Sequence, residues 1–539
     1  MQKTLNSAFL IQNCFMSEVA VELKNITKTF GDVVANHGVN LTVNKSEILS
    51  ILGENGSGKT TLMNMIAGIY RPDEGQILIN GEEVSIHSPK DAYRYHIGMV
   101  HQHYKLVNVF TAAENIILGK NTSKVLDMEK VKADIQKICH AYGFKIDLDQ
   151  KIYDMSVSQK QTVEIIKVLY KGVDILILDE PTAVLTPQET KSLFDVLRNM
   201  RADGKAVVII THKLNEVMEI SDRVSVLRKG EYIDTVRTKD ATVQQLTEMM
   251  VGQKISLDID RTEPVNPRDV LKVECLTCFN KDGLKALDNV SFTARSGEFL
   301  GIAGIAGCGV RELFECLDGM QKYPEGKVKF INSENTEIDL TNKSTREIKK
   351  AGAKIAFVPE DRLGMGLVGL MGMTDNVMLR TYKKGREPIV RRKEPRKVAL
   401  GIKEKLEVVT PHTEYPVSRL SGGNVQKVLV GREISSEPDV LMVAYPVRGL
   451  DINSSYAIYN KLNEQKVRGV AVISVIEDLD VLLALSDRIL VLNNGRVTGL
   501  VDARTATKEQ IGYLMTADIS DKIENDDSES AAKEEVNND

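Results

Sequence analysis

No stretch of this 539-residue sequence approaches the roughly 18 to 20 consecutive apolar residues that cross a bilayer, so no membrane-spanning helix is expected. The first 15 residues, MQKTLNSAFLIQNCF, hold a short apolar patch broken by Gln12 and Asn13, with one lysine and no clear small-residue cleavage site. A signal peptide is therefore not expected, and Met16 stands as a second candidate start. Cysteine is scarce: six residues scattered over a long chain suit a reducing cytoplasm. Cys275 and Cys278 form a lone C-x-x-C, which without a second pair reads as strand packing rather than zinc. Positive charge is not in surplus either, with 70 Lys and Arg against 75 Asp and Glu. The last 23 residues, Ala517 to Asp539, hold nine acids and two lysines, which leaves the body near +2 and without a nucleic-acid footprint.

What is present is a soluble globular composition, 42% apolar and 27% charged, in a chain long enough for several domains. Its centre of gravity is Gly53-Glu54-Asn55-Gly56-Ser57-Gly58-Lys59-Thr60, followed by Thr61. The apolar run Ile48 to Leu52 leads in as a strand, and Thr61 to Ile69 leads out as a helix. Strand, glycine loop and helix together make a phosphate cradle. Glycines let backbone N–H groups turn toward oxyanions, and the helix aims its positive end at the same place. Lys59 can reach terminal phosphates, and the Thr60 hydroxyl can join a Mg²⁺ shell.

Around the loop, residues 18–52 alternate like strands. Phe30 lies between these strand-like runs, ahead of the loop, placed to stack on a base or to pack locally. The stretch Ile97 to His103 reads as a short strand ending on Gln102, and residues 127–150 read as helical. Ser156 is the expected N-cap of a helix running to about Tyr170. Ile175 to Leu178 looks like a strand buried on both faces, ending on Asp179 and Glu180. Two acids there are costly unless they hold a metal or a water. Ala206 to Ile210 is the next strand and ends at Thr211-His212.

The pattern then repeats. Gly304 to Gly309 matches the first loop at an offset of 251, Val358-Pro359-Glu360 matches Val100-His101-Gln102 at 258, and Leu420 to Gln426 matches the Met155 stretch at 265. Ordered, slowly growing offsets mean duplication. The expected organisation is an N-terminal extension (1–16), a first domain (17–252), a linker (253–269) containing Pro264 and Pro267, a second domain (270–515), and an acidic, disordered tail (516–539).

Glycine loop, glutamine, LSGGN, LILDEP and a late histidine, in that order, resemble the ATP-binding cassette (ABC) family over roughly residues 17–515. The resemblance implies two tandem α/β P-loop NTPase domains, each with a mainly parallel core sheet, an antiparallel edge subdomain and a helical subdomain. Two cassettes with a short linker are similar to the ATPase subunit of a carbohydrate- or nucleoside-importing transporter, in which ATP sites form across a head-to-tail pair. In the first site, Phe30 and Gly53 to Thr61 are implied to hold ATP. Asp179, Thr60 and Gln102 would hold Mg²⁺, Glu180 would polarise the attacking water, and His212 would sense the γ-phosphate. Ser421, Gly422, Gly423, Gln426 and Asp451 would complete this site from the second cassette.

The second site departs from the family pattern. Val310 and Arg311 replace Lys and Ser/Thr, Ala444 and Tyr445 replace Asp and Glu, Glu477 replaces His, and Glu360 replaces Gln. Its signature, Met155-Ser156-Val157-Ser158, lacks both glycines. No hydrolysis is expected there, with Arg311 expected to plug the pocket rather than to contact phosphate.

Val100 to Val107 resembles the nucleoside-importing branch more than the HQEL-type stretch of ribose and galactose importers, while Pro359 to Arg362 and Arg448 to Asp451 are shared by both. Nucleosides are thus the expected solute, with simple sugars as the alternative. Lys383 to Lys405 reads as a solvated helical face, with lipid or partner contact as the other reading. The implied partners are two polytopic membrane subunits and an extracytoplasmic substrate-binding protein or lipoprotein. The chain would lie on the cytoplasmic face of the membrane, held only through partners and binding no nucleic acid. A soluble twin-cassette ATPase acting on ribosomes or nucleic acid is the competing class; it usually has two intact sites and a long charged helical linker. An exporter half, often fused to membrane spans, fits less well.

Overall fold

The computed structural model describes residues 19–102, 104–119, 127–183, 185–252, 259, 261–305, 307–381 and 391–517. The expected extension 1–16 and nearly all of the acidic tail lie outside the described residues, as do His103, most of 253–260, and Ala306 of the second glycine loop. The chain divides into two compact units, residues 1–256 and 257–539.

In the first unit a six-stranded sheet runs, edge to edge, Glu231–Arg237, Arg223–Arg228, Ile48–Leu52, Ala206–Thr211, Ile175–Asp179 and Ile97–Val100. Glu231–Arg237 pairs antiparallel and the other pairings are parallel. Every residue of Ile48–Leu52, Ile175–Asp179 and Ala206–Thr211 is buried. This explains their unbroken Val, Ile and Leu content: a parallel strand covered on both faces has no solvent side to alternate with. The edge pair closes through Lys229 (φ 51°) and Gly230 (φ 84°), two left-handed residues in succession as a tight hairpin turn requires. A second, antiparallel sheet is ordered Val33–Asn44, Val19–Phe30, Glu74–Ile79, Glu82–Val84.

The helical layer holds Ala112–Ile117, Met128–Tyr142 and Val157–Tyr170, which share one apolar cluster including Ile116, Ile135 and Val163. Ser156 caps the last of these, accepting from the Gln159 amide at 3.2 Å, while Gln159 Oε1 accepts from the Ser156 amide at 2.8 Å. The helix expected over 127–150 is shorter than its reading. It ends at Tyr142 because Gly143 adopts a left-handed C-cap (φ 86°), which turns the chain out of the helix.

The second unit repeats the plan. Its six strands, Arg496–Asp502, Arg488–Asn493, Phe299–Gly304, Ala471–Val475, Val440–Ala444 and Ile355–Val358, follow the same order with the same single antiparallel edge. Its antiparallel sheet is Lys285–Arg295, Asp269–Phe279, Glu325–Ile331, Glu337–Asp339. Cys275 and Cys278 both lie in the strand Asp269–Phe279, Cys278 buried in the core, as strand packing requires. Arg261 donates to the carbonyls of Leu483 and Ser486, which ties the chain just ahead of the duplicated domain to this unit. In the basic region, residues 382–390 lie outside the description; beyond them Arg392 pairs with Asp375, and Arg396 lies 3.6 Å from Glu414. Among the described residues no helix is long and apolar enough to cross a membrane.

Candidate functional site

The glycine loop leaves the buried strand Ile48–Leu52 and enters the helix Lys59–Ile66, with Gly58 as a left-handed N-cap (φ 92°). A Cβ on Gly58 would sit 2.4 Å from the Ala35 carbonyl oxygen and 2.5 Å from Asn36 Nδ2. Only glycine satisfies both the dihedral and the space. Two hydrogen bonds close the loop: the Ser57 amide donates to the Glu54 carbonyl at 3.1 Å, and the Gly230 amide donates to the Ser57 carbonyl at 3.2 Å. Asn55 and Gly56 form its exposed crest.

Lys59 is buried, its ammonium donating to the carbonyls of Gly53 at 2.7 Å and Glu54 at 2.9 Å. Burial lowers its pKa, opposed by the nearby Glu180, Asp179 and Glu54 carboxylates. Thr60 Oγ1 donates to Asp179 Oδ1 at 3.3 Å across 119 residues of sequence. Burial raises the Asp179 pKa, as the adjacent Glu180 charge also does, while the Thr60 bond lowers it. Thr61 follows on the helix, half-buried.

Glu180 is the pivot. It sits just beyond the strand at φ 47°, a left-handed posture uncommon for a glutamate, fixed by its amide donating to the Ile210 carbonyl at 2.9 Å. Gln102 Nε2 donates to Glu180 Oε2 at 2.9 Å, and His212 Nδ1 bonds Glu180 Oε1 at 2.9 Å. The three side chains come from the ends of three neighbouring parallel strands, so the strand order assembles them. The His212 bond is the main reason that the Glu180 pKa is lowered, overcoming burial. A carboxylate held ionised beside an amide and an imidazole can orient a water and accept its proton.

Phe30 is 44% exposed and meets Tyr70 edge-on at 5.2 Å, with Lys28 Nζ 5.5 Å from its ring. Tyr70 was not legible in the sequence, since nothing in its neighbourhood marks it out. Gln161 was also missed: buried on the Val157–Tyr170 helix, it donates to the Pro181 carbonyl at 2.6 Å and so fastens that helix beside Glu180.

In the second unit the sites of chemistry are rebuilt from other residues. Val310 is buried in the apolar core where Lys59 has its counterpart. Arg311, expected to plug the pocket, is 63% exposed and pairs with Glu315 on its own helix, Nε to Oε1 2.7 Å, as i,i+4 spacing favours. Tyr445 keeps the Glu180 backbone posture (φ 49°, its amide on the Val475 carbonyl at 3.1 Å), and burial pushes its phenol up to about 12.

The signatures differ too. Ser421 and Gly422 are exposed at the start of the helix Gly422–Ile434, which has no side-chain cap on Ser421. Asn424 Nδ2 donates to Ser421 Oγ at 2.8 Å. Asp451 accepts from the Ser454 amide at 2.7 Å, and a Cβ on Gly423 would lie 3.2 Å from Ser454 Oγ and 3.6 Å from Asp451 Oδ2. Gln426 is buried, 1% exposed. In the first unit the equivalent helix start is closed by the Ser156–Gln159 capping box, which consumes an amide that an oxyanion would need.

The ABC transporter description matches residues 36–183 and 287–446, one match in each unit. The chain belongs to the ABC transporter family. It is an ATPase with two ATP-binding cassettes, and the first match spans both the Lys59 loop and Glu180. Full-length relatives in this family include the nucleoside import ATP-binding protein NupA of Lactococcus lactis, 40% identical over 505 residues, covering 93% of this chain and 98% of the relative. The guanosine import ATP-binding protein NupO of Bacillus subtilis is 40% identical over 505 residues, covering 92% and 97%. The glucose import ATP-binding protein TsgD13 of Haloferax volcanii is 38% identical over 534 residues, covering 93% and 96%.

The Glu180–His212 contact makes a pH prediction for this ABC ATPase. Because the bond lowers the folded pKa of Glu180, its stabilising contribution is present above the unfolded pKa and lost as pH falls through the folded value. His212→Ala removes the largest lowering cause. The acid limb of the kcat profile in the residual activity should move to higher pH, the direction in which loss of the His212 bond takes the Glu180 pKa. An unmoved limb with a lower plateau would mean that His212 does not set the Glu180 charge.

Proposed function

We propose that this chain is the ATP-hydrolysing subunit of an importer for nucleosides. It works with two polytopic membrane subunits and an extracytoplasmic substrate-binding protein or lipoprotein. It is peripheral on the cytoplasmic face of the membrane, attached through those partners, and has no nucleic-acid role. The observation that carries the ATPase reading is Glu180 held between Gln102 and His212, beside the Thr60–Asp179 pair.

In this reading Lys59 leaves the loop carbonyls for the terminal phosphates, the amides of Gly53 to Thr61 bind the phosphate oxygens, and Phe30 faces the base. Hard oxygen donors on Thr60, Asp179 and Gln102 suit Mg²⁺, which when bound neutralises phosphate charge. Glu180 orients the attacking water and accepts its proton, and His212 holds the γ-phosphate side of that water. Ser421, Gly422 and Gly423, with Asp451, supply the amides and acid contributed by the second cassette; the buried Gln426 supports their helix. Catalysis rests on positioning and charge neutralisation.

Nucleoside transport is supported by the Val100 to Val107 stretch and by the names of NupA and NupO. Simple sugars are the second reading, favoured by TsgD13. Uptake decides. Cells carrying the wild-type chain or Lys59→Ala are given labelled nucleosides and, separately, ribose, galactose and glucose. Loss of nucleoside uptake alone is the expected result. Loss of sugar uptake alone would overturn the solute while keeping the ATPase role. Loss of neither, with a chain that does not sediment with membranes, would favour the soluble twin-cassette class.

A further inference from the structure

The residues that replace the catalytic set in the second unit form a structure of their own. Glu360 stands at the position of Gln102, Tyr445 at that of Glu180, and Glu477 at that of His212. In the first unit one carboxylate is held between an amide and an imidazole. In the second the arrangement is inverted: the Arg448 guanidinium is held between two carboxylates, with Nη1 on Glu360 and Nε 3.2 Å from Glu477 Oε1. Its charged end lies 5.9 Å from the centre of the Tyr445 ring.

The same residue is tied to the signature turn. Arg362 Nη2 donates to the Arg448 carbonyl, and a Cβ on Gly422 would lie 3.2 Å from Arg362 Nη1. Three residues beyond Arg448, Asp451 caps the helix Ile452–Val467, next to Gly423. One connected set therefore runs from Glu360 and Glu477 through Arg448 to Arg362 and Gly422. Exposed ion pairs taken singly contribute little, but a planar guanidinium shared by two carboxylates and lying beside a ring has its geometry determined by all three.

We propose that Arg448 is a positioning residue: its guanidinium, clamped by Glu360 and Glu477, takes the place of nucleotide in the second unit and holds the Arg448 to Asp451 turn and the Ser421 to Gly423 signature for use by the intact site. The charge pattern excludes a triphosphate from this pocket. Val310 stands in place of Lys59, and the Arg448 guanidinium is already paired with both Glu360 and Glu477. The signature thus stands ready without a second ATP. The effect on turnover rests on the proposed role of the signature as the partner of the first site.

Kinetics and nucleotide binding of the full chain test this, with thermal melting as a check on folding. Arg448→Ala should lower kcat for ATP hydrolysis by at least about tenfold, the consequence of a displaced catalytic contact, with KM changed by less than about threefold. Arg448→Lys should recover only part of that loss, because an ammonium cannot fork to both carboxylates. Glu360→Gln, which removes a single pair, should lower kcat by about threefold or more and keeps the question open to refutation if Arg448→Ala fails to fold. Glu180→Gln chains incubated with labelled ATP and Mg²⁺ should hold one nucleotide per chain. Wild-type kcat in Arg448→Ala or Glu360→Gln, a change confined to KM, or two nucleotides per chain would each overturn the inference while leaving the ATPase reading intact. A wild-type chain without ATP turnover would overturn both.

Discussion

Glu180→Gln should lower kcat for ATP hydrolysis by about a thousandfold, within the range of about 10² to 10⁴ for a positioned general base, while ATP binding persists. The physical reason is local. Glutamine keeps the volume and can still accept from Gln102, but it has no charge for His212 to stabilise and cannot accept a proton. The matched change in the other unit, Tyr445→Phe, should alter kcat by less than about twofold. The Tyr445 phenol is pushed up to about 12 by burial, so at neutral pH it is no base, and the ring beside Arg448 is retained. The check is single-turnover and steady-state hydrolysis on both variants, with ATP binding measured separately. Comparable losses in the two would mean that the units share the chemistry.

A second large effect is expected within the glycine loop. Gly58→Ala forces a Cβ to within 2.4 Å of a backbone oxygen at φ 92°, so it adds steric overlap to left-handed strain. Each is worth about 1 to 3 kcal/mol, enough together to displace the loop. ATP affinity should fall by about a hundredfold, or roughly 3 kcal/mol. Gly56→Ala is the control. Gly56 is also left-handed (φ 82°), but a Cβ there meets nothing within 4 Å. It should cost only the dihedral strain, about 1 to 2 kcal/mol, and weaken ATP binding by about tenfold. Isothermal titration of ATP against both variants separates overlap from strain. Equal losses would show that strain alone governs the loop.

Much of the fold was legible because its signals are local. Ile48–Leu52, Ile175–Asp179 and Ala206–Thr211 are short apolar runs, and runs of that kind form strands covered on both faces. Ser156 was readable as a cap because a hydroxyl three residues ahead of Gln159 completes its bonds within four residues. Residues 127–150 read as helical, but the left-handed turn at Gly143 ends the helix at Tyr142. The place of Arg311 beside the loop is visible in the sequence, whereas its pairing with Glu315, one helical turn on, is seen only in the structure.

The sequence by itself determined the phosphate loop, the duplication and the inequality of the two units. Each is written in contiguous residues or in a fixed spacing, and the substitutions at Val310, Tyr445 and Glu477 are visible wherever the chain goes. Only the tertiary structure decided which side chains meet. Gln102 and Glu180 are 78 residues apart, and Arg448 and Glu360 are 88 apart. Both pairs exist because parallel strands bring distant chain segments to a common sheet end, in an order that no local pattern encodes. The same sheet end that gathers Gln102, Glu180 and His212 in one unit gathers Glu360, Tyr445, Arg448 and Glu477 in the other. Side-chain charge then makes a carboxylate the centre of the first set and a guanidinium the centre of the second.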